Sequence, residues 1–225
     1  MCTPIGHGLA GVTVLVAARA LSPSRIPVDV VWIAAFFTAG SLPDLDAPFA
    51  AAFGPILMNL PFPPSVAAPH RGISHTLAYV CLAGPLWAWC VSRFRPVASF
   101  SRIAVLAAVA AGTHLVLDIL TGCGKSIPAL WPITAEGFQA TRHWLPCARF
   151  SSTWTGLFTL WFSRFSLDVI LVEVAVFTPL LASATYWNLR TRLPAPWARV
   201  PAGIALTAAA WAGSVAIAVT HAGPR

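Results

Sequence analysis

The sequence predicts an all-α, polytopic membrane helix bundle of about six transmembrane helices with interfacial segments, forming one integral membrane domain over residues 1–225. Three observations lead there. Hydrophobic residues make up 57% of the chain and mean hydropathy is +0.75. Charged residues are only 9%, where a soluble domain carries about a quarter. The apolar residues also come in blocks that approach the roughly 20 residues a membrane-crossing helix needs, without the polar face that a helix on a soluble core would show.

Six apolar segments are expected, at about 7–21, 27–43, 75–92, 102–121, 168–188 and 198–220, the first with room to extend toward Ile26. Pro43 fits a stop at the end of the second. Segment 47–64 is apolar but broken by Gly and Pro, and reads as an interfacial or re-entrant piece. The longest connection, 122–167, carries Trp131, Trp144, Trp154 and Trp161, which suit the headgroup level. The N-terminus has no basic stretch before its apolar run, so the first helix is expected to be retained rather than cleaved. There is no CxxC or zinc-finger spacing among the cysteines, which argues against cysteine-based metal binding. An oxidising compartment would permit a Cys123–Cys147 disulfide without requiring it.

The net charge of +7 does not point to nucleic acid, because no basic tract is present. It points to orientation. Arg19, Arg25, Arg93, Arg95, Arg102, Arg190, Arg192 and Arg199 fall in the three short connections after the odd-numbered segments. Short Arg-rich loops stay cytoplasmic, which puts both termini and the two long connections outside. His7, His70, His75, His114, His143 and His221 then all fall on the outer side, together with Asp44, Asp46 and Asp118.

Within that set, "THLVLDILTG" puts His114 and Asp118 four residues apart, on one helix face. At membrane depth such groups face a partner or a wet cavity. The pair is either part of a divalent-metal site, whose nitrogen and oxygen donors suit zinc, or a His–Asp hydrogen bond locking two helices. In "GSLPDLDAP", alternation along a non-helical stretch would send Asp44 and Asp46 to opposite sides. One is then a direct ligand and the other orients a histidine. In "HRGISHT", Gly72 allows a tight turn, Ser74 caps a helix beginning near His75, and Arg71 either holds a phosphate or carboxylate or anchors at the interface. His7 opens the first helix on the same side.

"TPIGHGLAG", "GSLPDLD", "HRGISHTL" and "HLVLDILTGCG" followed by "WPI", in that order, resemble the YdjM-like family of membrane-bound proteins, described as predicted metal-dependent hydrolases. The resemblance covers residues 3–132. It implies a metal held by His7, Asp44, His75, His114 and Asp118, a catalytic group of Arg71, His70 and Asp46, and shape-defining positions at Gly72, Ser74, Thr121 and Gly124. A fainter similarity to zinc-dependent phospholipases C lacks their later HxxxE pair, for which Asp168 and Glu173 substitute at most in part, so one or two metal ions are expected rather than three.

The expected function is therefore a multi-pass inner-membrane hydrolase using a divalent metal, zinc first, on an amphiphilic or phosphorylated substrate at the periplasmic surface. The bilayer is its partner, nucleic acid is not, and oligomeric state is left open. The alternatives are a non-catalytic metal-binding or ion- or proton-transporting membrane protein, and a structural protein whose His–Asp pairs only lock helices.

Overall fold

The computed structural model describes residues 3–22, 26–47, 61–68, 70–121, 126–141 and 163–189, with a few isolated positions between them. The segment 198–220 expected as a sixth helix, Gly124, Cys123, Cys147, His143, His221, Trp144, Trp154, Trp161 and most of 47–60 lie outside the described residues. Among those described there are five α-helices: α1 Pro4–Leu21, α2 Val30–Ser41, α3 Leu77–Ser92, α4 Phe100–Thr121 and α5 Arg164–Leu189. No strand occurs among them beyond one isolated bridge, Ile127 to Phe138. Pro4–Leu21, Phe100–Thr121 and Leu167–Tyr186 are long and apolar enough to cross a membrane, and Val30–Leu45 and Leu77–Ser92 are shorter apolar helices.

Local chemistry sets the helix ends. Thr3 caps α1, its hydroxyl accepting from the amide of Gly6, with Pro4 in the first turn. Asp29 caps α2 through the amides of Val31 and Trp32. Pro43 does not end the chain's helical course. It opens a 3-10 turn, Leu42–Leu45, directly after α2. The α3 cap differs from expectation. Thr76, not Ser74, caps the helix by accepting from the amide of Tyr79, and α3 begins at Leu77. His75 sits upstream in a 3-10 turn, Ile73–His75.

Helices α1 to α4 pack around Leu15, Trp32, Phe36 and Ile103, all nearly fully buried. Small residues permit close approach, as membrane helices need. A β-carbon on Gly11 would stand 2.2 Å from the carbonyl oxygen of Phe36, and one on Gly40 would stand 2.2 Å from that of His7. Ser41 Oγ donates to the carbonyl of Pro4 at 2.7 Å, and Trp87 Nε1 to that of Ala35 at 2.8 Å. The buried carboxylate of Glu173 on α5 accepts from the amide and the hydroxyl of Thr3 at the N-terminus of α1, where a negative charge is favoured. Outward-facing Leu82, Leu86, Val105 and Leu171 are exposed, as expected of a surface that meets hydrocarbon.

Candidate metal centre

The directions of the helices decide which residues meet. His7 lies in the first turn of α1, Asp44 follows α2, His75 precedes α3, and His114 and Asp118 lie toward the end of α4. All five therefore reach the same end of the bundle. Arg19, Arg93, Arg95 and Arg102 belong to the opposite helix ends, where Arg95 pairs with Asp29 at 2.9 Å.

At that shared end the donors face one another. Asp118 Oδ1 lies 3.5 Å from His7 Nε2, and its Oδ2 lies 3.2 Å from His75 Nε2 and 3.9 Å from His114 Nε2. Asp44 Oδ1 lies 3.5 Å from His114 Nε2 and 3.9 Å from His75 Nε2, and its Oδ2 lies 3.9 Å from His7 Nε2. The rings of His7 and His114 stack with centroids 3.5 Å apart. His7, His75 and His114 are 0% exposed, Asp118 2% and Asp44 6%.

Partners on the far sides of the rings fix their tautomers. His114 Nδ1 is 2.9 Å from the carbonyl oxygen of Gly40. A carbonyl only accepts, so Nδ1 carries the proton and Nε2 presents a lone pair. His75 Nδ1 is 2.9 Å from Ser74 Oγ, which in turn donates to Asp46. His75 Nε2 therefore also points a lone pair inward, 3.2 Å from His114 Nε2. Two facing lone pairs repel unless a proton or a metal ion sits between them.

The fit to a metal can be tested on the oxygens as well. Among the described residues, both carboxylate oxygens of Asp44 and both ring nitrogens of His7 are buried without a conventional hydrogen-bond partner, and Asp118 faces only Arg71 and histidine nitrogens. Leaving such groups unsatisfied costs several kcal/mol per charge. Donors around one tetrahedral zinc, each about 2.0–2.1 Å from it, stand about 3.3–3.4 Å apart, close to the spacings seen here. Three overlapping sets among the described residues, His7–His114–Asp118, Asp44–His75–His114 and the less buried Asp46–His70–His75, each lie close enough to hold one ion. These buried histidines and aspartates fit a metal ion.

Around this set stands a supporting layer. Asp46 Oδ1 accepts from His70 Nδ1 at 2.6 Å, and Oδ2 accepts from the amide of Arg71 at 3.3 Å. Burial alone would raise the Asp46 carboxyl, but hydrogen bonds with His70 and His75 and their charges hold it below the usual carboxylate range. Burial opposes charge on His75, yet hydrogen bonds with Asp118 and Asp46 and their charges outweigh it and raise its pKa to about 9. A metal ion taken up here thus competes with a proton on His75. Asp46→Asn should weaken metal binding about 10–100-fold without abolishing it, as read by chelator competition. An unchanged affinity would remove Asp46 from this role.

Several expectations are corrected. Asp44 and Asp46 lie in and just after a 3-10 turn rather than an extended stretch, and the turn still sends them to different partners. His75 does not stand on a helix N-terminus, because Thr76 takes that place. Ser74 links His75 to Asp46 rather than capping. Gly72 has φ −92°. Its need for no side chain comes from crowding, since a β-carbon would stand 2.3 Å from the carbonyl oxygen of Ala68. The left-handed residue is Arg71, φ 64°, a conformation costing a non-glycine residue roughly 1–2 kcal/mol. Its guanidinium is turned inward, with Nη2 3.0 Å from Asp118 Oδ1. Thr121 is buried and bonds the carbonyl of Asp118. Asp168 is exposed and Glu173 is committed to Thr3, so neither supplies the missing HxxxE pair. Gly40 was not singled out from sequence, although it stands in the quoted "GSLPDLD". A small residue at a predicted helix contact was the available signal.

No curated protein and no solved structure matches the chain. The family model described as YdjM inner membrane protein does match, from residue 1 to residue 220, well beyond the 3–132 that carry the motifs. Matched over nearly its whole length, and with its buried His–Asp cluster built from the shared motifs, the chain belongs to the YdjM inner membrane protein family.

Proposed function

We propose that the protein is a membrane-bound, metal-dependent hydrolase acting on a phosphoester of an amphiphilic substrate at the periplasmic side. The observation that carries this reading is the cluster of His7, Asp44, His75, His114 and Asp118, with donors 3.2–3.9 Å apart and fully or nearly fully buried. A divalent cation bound there, zinc by its mixed nitrogen and oxygen donors, supplies Lewis acidity. The chain's own residues do the rest. Asp46 and Ser74 hold the His75 ring in its donor tautomer. Arg71, fixed against Asp118, brings a positive charge against which a phosphoester can dock and which favours the charge built up in the transition state. The Arg-bearing helix ends lie opposite the cluster, which supports a periplasmic site by the positive-inside rule.

The test is elemental analysis of purified protein, paired with phosphate release from a phosphoester before and after chelation. Bound metal near stoichiometry and chelator-sensitive hydrolysis are expected. A protein with no bound ion overturns the metal, and hydrolysis indifferent to chelation overturns its role. Bound metal without hydrolysis of any ester favours the metal-binding or ion-transporting alternative.

Arg71 has its own prediction. Arg71→Gly removes the guanidinium and suits the left-handed backbone at that position. It should retain the metal and lose about 10²–10³-fold in rate, the scale of one charge-stabilising donor. Full activity in this variant would take Arg71 out of the chemistry.

A further inference from the structure

A cavity of about 770 Å³ lies between α1, α3 and α4, with Phe177 of α5 at its edge. Its lining is apolar and small, Ala10, Val14, Ala108 and Gly112 among it. Two threonines line it, and both spend their hydroxyls on their own helix: Thr13 Oγ1 donates to the carbonyl of Leu9 at 2.8 Å, Thr113 Oγ1 to that of Ala110 at 2.7 Å. A water or a polar ligand would find little to bond there.

The groove is open toward the side that meets the bilayer. Val105, Val109 and Val116 line it and are also exposed on that surface. A β-carbon on Gly112 would meet nothing within 4 Å. Along α4 the walls run from Ala104 to Leu117, about 20 Å at 1.5 Å per residue. At one end they reach residues adjacent to the ligands: Thr113 and Leu117 precede His114 and Asp118, and Leu77 follows His75 by two. One end of the groove thus lies within one or two residues, along the chain, of His75, His114 and Asp118, none of which lines it.

We infer that this groove holds one hydrocarbon chain of a membrane lipid whose phosphorylated headgroup lies at the metal cluster. The inference rests on the hydrolase reading for the headgroup's fate, but not for the groove's occupancy. Its continuity with the bilayer-facing surface makes a lipid chain the occupant that arrives without crossing water.

Two measurements on the full chain test it. Native mass spectrometry after incubation with palmitoyl-oleoyl-phosphatidylglycerol should find one lipid retained, and Gly112→Phe, which fills the open space, should reduce retention at least tenfold. Val109→Phe, on the exposed wall, should do the same if Gly112→Phe fails to fold. Equal retention by all three proteins, or none by the unmodified one, overturns the inference. Phosphate release from dioleoyl and dihexanoyl phosphatidate then separates the two readings. Gly112→Phe should lose at least tenfold on the long-chain ester and keep the short-chain rate. Equal effects on both esters overturn the inference. If the unmodified protein hydrolyses neither ester, the hydrolase reading fails and retention alone decides the groove. A cross-link from Cys81, which lines the groove, to a cysteine placed at Trp211 would show the chain's own apolar segment there and overturn the lipid.

Discussion

Asp118→Ala should leave the purified protein without stoichiometric metal and bring phosphoester hydrolysis to background. Asp118 meets all three histidines of the cluster, as Asp44 does, and Arg71 besides. One oxygen faces His7 and Arg71, the other His75 and His114. Its loss should lower metal affinity by more than the roughly 10–100-fold seen when only a supporting group is removed. It also removes the buried Arg71–Asp118 pair, and breaking a buried pair costs about 3–5 kcal/mol. Thermal unfolding should therefore fall alongside metal content. Arg95→Ala is the control: it breaks the exposed pair with Asp29 at the opposite end of the bundle, spares the Asp29 cap of α2, and should leave metal content unchanged. Full metal occupancy in Asp118→Ala would sink the assignment.

The second large effect is expected from a residue with no side chain. In Gly40→Ala the new methyl would meet the carbonyl oxygen of His7 at 2.2 Å and the α-carbon of Gly11 at 3.2 Å. Backbone cannot step aside as a side chain can, so α1 and α2 must part. Overpacking costs about 1–3 kcal/mol, and this case belongs at the upper end. The carbonyl of Gly40 also holds His114 Nδ1, so the movement reaches two ligands. Both the melting temperature and bound metal should fall, measured by thermal unfolding and elemental analysis. Gly112→Ala adds the same methyl into open space and should be neutral or slightly stabilising. Equal behaviour of the two variants would show that helix separation does not govern the cluster.

Much of this was legible in the residues. An apolar run of about 20 residues reads as a helix whatever it packs against, and α4, expected over 102–121, spans Phe100–Thr121. His114 and Asp118 were conspicuous because ionisable groups at that depth need a reason. What could not be read was set by contacts distant in sequence. Thr76 and Ser74 are both good caps by type, and only the turn that ties Ser74 to Asp46 decides between them. Arg71 reads as an outward anchor or anion holder. Its inward course follows from a left-handed backbone, with Gly72 crowded against the carbonyls of Val66 and Ala68. Gly40 carries no chemistry of its own, so nothing short of helix packing marks it.

The clasp between Glu173 and Thr3 has a consequence in time. Ribosomes deliver the chain from its N-terminus, so every residue of the cluster is made before the carboxylate that ties down the start of α1. His7 stands one turn into that helix. The clasp can therefore close on the first turn of α1 only once α5 has been made.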